Sequence, residues 1–481
     1  MRISEIIYCN EYILSEIDEN IEFDSLSTDA STVSEHDILV IPNSNRLPDI
    51  TQINAMPLAV ICDTNVILPK SIPTIRAKNS RIATANAFYR YNRITLDGIK
   101  LIGVTGTNGK TTTATIIQNI LSGAGYSVGF IGTGKIEING EKISDINYSM
   151  TTPDPPLLYK SIADMIRQKC NAIVMEVSSH ALALDKVAPL KFDYGIFTNL
   201  SPEHIDFHGD MESYFKAKMK LFDNCNCGIF NIDDEYCRKA YSLCDSRKIS
   251  AGILWRGNVW ASNIVNRGFD GIEYIYHSTG FSFRMKLPFA GIYNSYNSML
   301  AAAVSIDMGC KPCEVKQIIS ETSPVLGRYE IIKDEISVII DYAHTSAAFE
   351  AILHELSSLK QDKRLTVVFG CGGNRDKTKR PKMAGIAEKY ADRIILTSDN
   401  SRNEDTKEII ADIIKGFDKG CYEIKENRAD AIQSAILEAK TGDIVAIIGK
   451  GPERYNIDKD GYHYFNEKKQ VLSALKDRRE G

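Results

Sequence analysis

No apolar run in the 481-residue sequence is long enough to cross a bilayer; the longest, such as Ile444 to Ile448, fall far short of the ~18 residues that a spanning helix needs. Positive charge is not in excess either. Lys and Arg number 57 against 62 Asp and Glu, a net charge of -5, which excludes a chain coated for the phosphate backbone and leaves no nucleic-acid partner expected. Residues 1 to 10 carry Glu5 and no apolar segment running into a small-residue cleavage site, so no secretory leader and no membrane insertion are expected, and a cytoplasmic location is. Eleven cysteines, an odd count scattered from Cys9 to Cys421, suit a reducing compartment and not a disulfide framework. Cys310 and Cys313 have the C-x2-C spacing without the second pair that zinc would need, and Cys225 and Cys227 follow an amphipathic helix; both pairs read as ordinary packed thiols. Internal repeats and low-complexity tracts are absent. What remains, 43% apolar and 25% charged residues, is the composition of a soluble globular enzyme, and at ~150 residues per domain the length predicts two or three domains.

The first ~95 residues read as short strands and turns, with Ile38 to Ile41 and Leu58 to Ile61 as apolar runs. A second stretch opens with the apolar run Ile99 to Val104, a glycine-containing loop Thr105-Gly-Thr-Asn-Gly-Lys-Thr-Thr112, and a helical pattern through Ile116, Ile117, Ile120 and Leu121. Strand candidates at Ala172 to Val177, Tyr194 to Phe197 and Gly228 to Ile232 alternate with helices. A third stretch repeats the alternation at Val338 to Ile340, Leu365 to Phe369, Arg393 to Leu396 and Ile444 to Ile448. This predicts an α/β protein with mostly parallel sheets, whose ligands sit where polar loops leave the strands. The charged segment Arg328 to Asp334 is the expected join between the second and third series.

Gly106 and Gly109 bracket the loop because backbone N–H groups converge on phosphate oxygens only where no side chain blocks the approach. Lys110 would reach the β- and γ-phosphates and the Thr111 hydroxyl would bind Mg2+. The full G-x4-G-K-[ST] pattern fails at Val104, leaving a shorter G-x2-G-K-T. Gly370-Cys-Gly-Gly-Asn-Arg375 is no dinucleotide fingerprint, since its sixth position is Arg. Glu176 closes an apolar strand candidate, where it is either a Mg2+ ligand beside the phosphate loop or a solvated strand-end carboxylate. Three of the eight histidines fall between 180 and 208, with His204 and His208 at i, i+4. Without the H-E-x-x-H order, an ATP-Mg2+ role is preferred to zinc. The helix Met211 to Phe222 sets Lys218 one turn after Tyr214; without further motifs Lys218 reads as a surface lysine.

From about Ile99 to Phe465 the sequence resembles the Mur ligases, ATP-dependent amide-forming enzymes of peptidoglycan precursor synthesis and hence of cell-wall growth, shape and division. Within them it resembles the branch that adds the third residue of the stem peptide. The resemblance rests on VTGTNGKTT, TTPDP at 151 to 155, MEVSSHAL at 175 to 182, FTNLSPEHIDFHGDMESY at 197 to 214, AKMKLF at 217 to 222, Asn294 with Asn297, GRYE at 327 to 330, DYAHTS at 341 to 346, VFGCGGNRDKTKRP at 368 to 381, TSDNSRNED at 397 to 405 and GKGPE at 449 to 453. It implies three domains: 1–97 for the carrier nucleotide, a central P-loop parallel-sheet domain at 98–327, and a Rossmann-like domain at 328–481 for the incoming amino acid. ATP and Mg2+ are implied with it. Gly106, Thr107, Asn108, Gly109, Lys110, Thr111 and Thr112 would hold the phosphates. Asn297, Arg328 and Asp341 would supply base, phosphate and ribose contacts. Thr111 and Glu176 would hold one Mg2+, and His204 and Lys218 a second, with Lys218 carbamylated by CO2 into an anionic ligand. Lys110, Glu176, His204 and Lys218 are thus the expected catalytic set.

The implied carrier is a UDP-muramoyl dipeptide, met by Asp29, Thr151, Thr152, Ser178 and Lys186. Here the sequence departs from the family: its N-terminal Asp-Ser-Arg is Asp29-Ala30-Ser31, the following Gly-rich stretch is replaced by Pro42 to Pro48, and Lys186 stands where Arg is usual. A relative acting on another carboxylate carrier therefore stays open, as does a folylpolyglutamate synthetase-like ligase, although TSDNSR and the GRYE with DYAHTS pairing speak against the latter. A P-loop kinase or GTPase would leave residues 330 to 481 without a task, and a silent nucleotide-binding module would have no need of Glu176, His204 and Lys218 together. Arg375, Asp399, Asn400, Arg402, Gly449 and Glu453 would bind the free amino acid. The acceptor motif Asp-Asn-Pro-Arg of the diaminopimelate-adding branch appears as Asp399-Asn-Ser-Arg402, and Pro452 replaces the usual His. Diaminopimelate is the expected amino acid, otherwise L-lysine. The oligomeric state is not fixed by the sequence; a monomer is the simplest expectation.

Overall fold

The computed structural model describes residues 1–7, 11–43, 55–143 and 150–480, apart from the Leu14 side chain. Cys9 and the part of the Pro42 to Pro48 stretch beyond Asn43 lie outside the described residues. Three sheets follow one another along the chain, and a small hairpin accompanies the last.

The first sheet has five strands, ordered Tyr12–Ser15, Thr74–Ala77, Ala59–Asp63, Ile38–Val40 and Leu26–Ser27, all parallel except the first. Its middle strands read as unbroken apolar runs because both faces are covered: Val40 and Ile61 pack on one side, Leu39 and Val60 on the other. The helix Ser80–Tyr91 starts where the Asn79 side chain accepts from the backbone N–H groups of Arg81 and Ile82.

The central sheet has eleven strands. Within it, strand Lys100–Thr105 pairs in parallel with Ala172–Glu176 on one side and Phe192–Phe197 on the other. Register puts Glu176 opposite Val104 and Phe197 opposite Thr105, so the loops after these three strands leave the sheet along one edge. The chain runs out through Val128–Gly132 on the Glu176 side and through Cys225–Asn231 and Arg247–Gly252 on the other, which makes this edge a topological switch point, the usual ligand crevice of an open α/β sheet. Two antiparallel additions extend it: Lys135–Ile138 with Glu141–Lys142, and the meander Val259–Asn266, Ile272–Ser278, Phe281–Leu287.

In the third sheet the order is Glu330–Lys333, Ser337–Asp341, Ile444–Ile448, Leu365–Phe369, Arg393–Leu396, Glu423–Ile424, with only the first pair antiparallel. Within the expected join at Arg328 to Asp334, Glu330–Lys333 forms the edge strand of this sheet, with Ile331 and Ile332 packing on opposite faces. Each residue of Ile444–Ile448 is buried; at ~1.5–3 kcal/mol for each large apolar side chain, this strand is a main source of the unit's stability. The hairpin Tyr455–Asp458 and Gly461–Tyr464 stands beside the loops at the carboxyl ends of these strands.

Candidate active site

The phosphate loop joins strand Lys100–Thr105 to helix Lys110–Gly123. Gly109 has φ +84°, and a Cβ there would overlap the Asn297 Oδ1. Asn297 is itself fixed, accepting from Thr113 Oγ1 at 3.3 Å and donating to Asn294 Oδ1 at 2.9 Å. The loop is tied to its neighbour strand as well: Asn108 N–H donates to Asn199 Oδ1 at 2.9 Å, and Thr198 Oγ1 donates to the Asn108 carbonyl at 2.6 Å. Thr107 Oγ1 lies 3.2 Å from the Tyr214 hydroxyl, and Thr112 is buried in the first helical turn. Lys110 Nζ curls back onto the Gly106 and Thr107 carbonyls, 2.8 Å from each. Burial pulls its pKa down, against the opposing pull of Glu203 and Glu176. The result is an N-terminal helix turn with free N–H groups and one enclosed ammonium, an anion site of the phosphate type.

Glu176 is no solvated strand-end carboxylate; it is fully buried. Thr111 Oγ1 donates to its Oε2 at 2.8 Å and Thr133 N–H to its Oε1 at 2.9 Å. Both of these donors are uncharged, and the Lys110 ammonium is close enough to feel the carboxylate. Thr151, Thr152 and Ser178 gather around it: Thr133 Oγ1 donates to Thr151 Oγ1 at 3.2 Å, Thr152 Oγ1 to the Glu176 carbonyl at 2.9 Å, and Ser178 N–H to Thr152 Oγ1 at 2.9 Å. Lys186 is buried and paired with Asp154 at 2.6 Å. Asp29 stands in the loop after strand Leu26–Ser27, where its Oδ1 accepts from Ser31 N–H and Oγ, and nothing links it to these residues.

His204 adopts φ +57° and lies edge-on to His180, with ring centroids 4.7 Å apart. Burial lowers its pKa to about 3, only partly opposed by Glu203, and lowers His208 to about 4. At neutral pH these are uncharged imidazoles, the metal-binding form. Lys218 is 1% exposed, which removes the surface-lysine alternative. Its Nζ donates to the Gly106 carbonyl at 2.9 Å and stands 4.7 Å from the Tyr214 ring centroid. Burial, then the charge of Lys110, drives its pKa well below the usual lysine value. Among the described residues no three His, Cys, Asp or Glu side chains gather as a metal site; the acid beside His204 is Glu203, its Oε2 3.9 Å from Nε2.

The third sheet brings its own loops to this edge. Arg328 lies with its guanidinium carbon 4.2 Å from the Tyr342 ring centroid and Nη2 3.5 Å from Thr111 Oγ1. Asp341 is buried, its two oxygens each accepting a backbone N–H, from Tyr329 and Ala343, at 2.6 Å. Farther along, Arg402 has φ +53°, and among the described residues its guanidinium donates through Nη1, to the Gly373 and Asn400 carbonyls at 2.9 and 3.2 Å. Exposed Arg375 adds its charge to that of Arg402, and burial lowers the Arg402 pKa first. Glu453 accepts from Tyr342 OH at 3.2 Å and Asn400 Nδ2 at 2.7 Å. Lys450, fully buried, donates to Asn400 Oδ1 at 2.9 Å and lies 3.7 Å from Asp399 and 3.6 Å from Glu453. Gly449 turns at φ +125° with Asp399 alongside. Sequence reasoning quoted the motifs holding Glu203, His344 and Lys450 without giving these residues a role, and passed over Thr133, whose only signal is its place just after strand Val128–Gly132.

Comparison with known proteins agrees with this arrangement. The Mur ligase middle domain matches residues 104–305, and the Mur ligase glutamate ligase domain matches residues 327–451. The chain is 37% identical to UDP-N-acetylmuramoyl-L-alanyl-D-glutamate–2,6-diaminopimelate ligase 1 of Clostridium acetobutylicum, covering 99% of this chain and 100% of that one. It is 38% identical to the corresponding ligase of Clostridioides difficile over 87% of each. A solved UDP-N-acetylmuramoyl-L-alanyl-D-glutamate–2,6-diaminopimelate ligase superposes with a TM-score of 0.66 at 25% identity, covering 100% of this chain and 99% of that one. Phosphate loop, buried acid and acceptor loops thus sit in a chain that belongs to the Mur ligase family of ATP-dependent amide-forming ligases.

Proposed function

We propose that this enzyme joins meso-diaminopimelate to UDP-N-acetylmuramoyl-L-alanyl-D-glutamate, with ATP as co-substrate and Mg2+ as the metal, in peptidoglycan precursor synthesis. The observation that carries the reading is that Arg402, whose guanidinium bonds among the described residues go to backbone carbonyls, shares one cluster of loops with the carboxylate of Glu453. Such a pair suits the far end of diaminopimelate, which bears one carboxylate and one ammonium. The relatives named for diaminopimelate support it along the whole chain.

Chemically, a carboxylate of the dipeptide attacks the γ-phosphorus of ATP, giving an acyl phosphate and ADP. The amine of the amino acid then attacks the acyl carbon, the carbon–nitrogen bond forms, and phosphate leaves with the bonding electrons while the amine loses its proton. Neither step needs a protein nucleophile. Lys110 and the backbone of Gly106 to Thr112 neutralise and orient the transferring phosphate. Thr111 and Glu176 would hold one Mg2+ and His204 with carbamylated Lys218 a second; when bound these ions neutralise charge on the phosphates. The Thr111 hydroxyl and the Glu176 carboxylate, 2.8 Å apart, are oxygen donors that fit Mg2+ there. Asn297, Arg328 and Asp341 are read as the base, phosphate and ribose contacts. Thr151, Thr152, Ser178 and Lys186 are read as the carrier contacts, and Asp29 as a contact to the nucleotide end.

The three sheets are read as three domains, 1–97, 98–327 and 328–481. ATP as co-substrate and the ten free thiols among the described residues support a cytoplasmic location. Incubating the purified protein with ATP, Mg2+, the UDP-muramoyl dipeptide and either diaminopimelate or L-lysine tests the proposal. The expected result is ADP release coupled to a product with the mass of the diaminopimelate tripeptide; ADP release without product, or none with this carrier, overturns it.

A further inference from the structure

The turn after strand Ser337–Asp341 reaches across to the central sheet. His344 Nε2 lies 2.7 Å from Glu203 Oε1, and its Nδ1 lies 2.8 Å from the Tyr342 carbonyl. A carboxylate and a carbonyl only accept, so the His344 ring faces an acceptor at each nitrogen and bridges its own turn to Glu203. Burial alone would raise the Glu203 pKa, but His344, His204 and Lys110 together hold it well below the usual carboxylate range. Two more bonds fasten the same turn: Lys379 Nζ donates to the His344 carbonyl at 2.9 Å, and Asn108 Nδ2 lies 3.5 Å from Thr345 Oγ1. Glu203 also faces the phosphate loop, where it is the strongest opposing charge on Lys110.

The bond from His344 to Glu203 forms only when the third sheet is docked on the central one, and the same turn then meets the phosphate loop through Thr345 and Asn108. We propose that Glu203 and His344 form a clasp between the two sheets and that both are positioning residues for phosphoryl transfer, holding the 342–346 turn against the phosphate loop. The clasp rests on reading residues 106–112 as the ATP-phosphate site.

The test uses His344→Gln, Glu203→Gln and the double variant in the full chain. Steady-state turnover on all three substrates is measured alongside amide hydrogen exchange of residues 342–346 in the unliganded protein. Each single change is expected to lower kcat at least about tenfold, the scale of a misplaced reacting group, with KM for the dipeptide within about twofold. Exchange at 342–346 should rise in both, and the double variant should match the worse single one, because the partner has already been lost. Additive losses in the double variant, or a kcat for His344→Gln within about twofold of the parent, overturn the clasp. His344 is 36% exposed at its side chain, so Gln there decides the matter if Glu203→Gln does not fold. A parent enzyme that turns over neither amino acid overturns the proposed function instead; the exchange measurements still judge the clasp, and unchanged protection at 342–346 in both single variants refutes it.

Discussion

Lys110 and Lys218 donate to one carbonyl: their nitrogens lie 2.8 and 2.9 Å from the Gly106 oxygen. Two buried ammonium groups on a single acceptor repel each other, and Lys218, enclosed and facing Lys110, is the one driven furthest toward the neutral amine. A neutral amine adds to CO2, forming a nitrogen–carbon bond and releasing a proton to water. The carbamate so formed would meet Lys110 with a negative charge in place of a second positive one.

Lys218→Ala is therefore expected to be nearly inactive, and short carboxylates such as acetate should restore part of the activity by filling the vacated oxygen positions. Mass spectrometry of active enzyme showing an unmodified lysine, or no rescue by any short carboxylate, contradicts this.

Lys110→Ala should lower turnover at least ~100-fold, the scale of losing one preorganised charge at a reacting centre. Because Lys110 bonds only to the carbonyls of its own loop, thermal unfolding should shift little. Near-normal kcat in this variant would remove the phosphate-loop assignment.

Gly109→Ala separates loop geometry from charge. An L-residue at φ +84° costs ~1–2 kcal/mol, and the added methyl overlaps Asn297 Oδ1. KM for ATP should rise at least about tenfold, with KM for the amino acid unchanged. Equal changes in both constants would point to general unfolding.

Much of this arrangement is legible in sequence, and the rest is hidden for physical reasons. Lys100–Thr105, Leu365–Phe369 and Ile444–Ile448 announce themselves because sheet covers on both faces demand unbroken apolar runs. The meander from Val259 to Leu287 does not, since one face meets water and Ile272–Ser278 alternates buried with half-buried residues. Glu176 is visible at its strand end, but only the fold shows that it is buried. Glu203 and His344 stand 141 residues apart in polar loops, and no local pattern connects them. Lys218 looked like an exposed lysine on an amphipathic helix until motif resemblance gave it a role.

Acid stability should depend on Glu404. Arg380, fully buried, donates to Glu404 at 3.0 Å and to Asp412 at 2.9 Å, tying the helix Lys379–Tyr390 to the acceptor loop. The Arg380 hydrogen bond is the main cause of a Glu404 pKa near 2, with burial opposing and the Asn374 N–H assisting. A carboxyl depressed in the folded state stabilises above its unfolded pKa of ~4.3 and loses that contribution as pH falls toward 2. Urea midpoints should thus drop between pH 4.5 and 2 in the parent and less steeply in Glu404→Gln, which should be less stable at pH 7 by about 1.5–3 kcal/mol. Parallel curves for the two proteins would show that the pair contributes nothing.

The amino acid chosen is the sharpest consequence of the acceptor site. Its charged groups are Asp399 and Glu453 with Lys450, Arg402 and the exposed Arg375. A distal zwitterion, as in diaminopimelate, leaves their net charge unchanged: its carboxylate would meet Arg402 and its ammonium would meet Glu453. L-Lysine brings an ammonium alone, adding a positive charge and leaving the partly buried guanidinium without an anion, an arrangement that costs several kcal/mol. Ser401 does not undo this, because Arg402 N–H donates to the Ile457 carbonyl at 3.0 Å and Ile457 N–H to Asn400 Oδ1 at 3.0 Å, pinning the loop to the hairpin. The specificity constant for diaminopimelate is therefore expected to exceed that for lysine at least about a hundredfold. Arg402→Ala should abolish most of this preference by lowering the diaminopimelate value while leaving that for lysine nearly unchanged. A higher specificity constant for lysine in the parent, or no loss with diaminopimelate in Arg402→Ala, would move the acceptor role away from this residue.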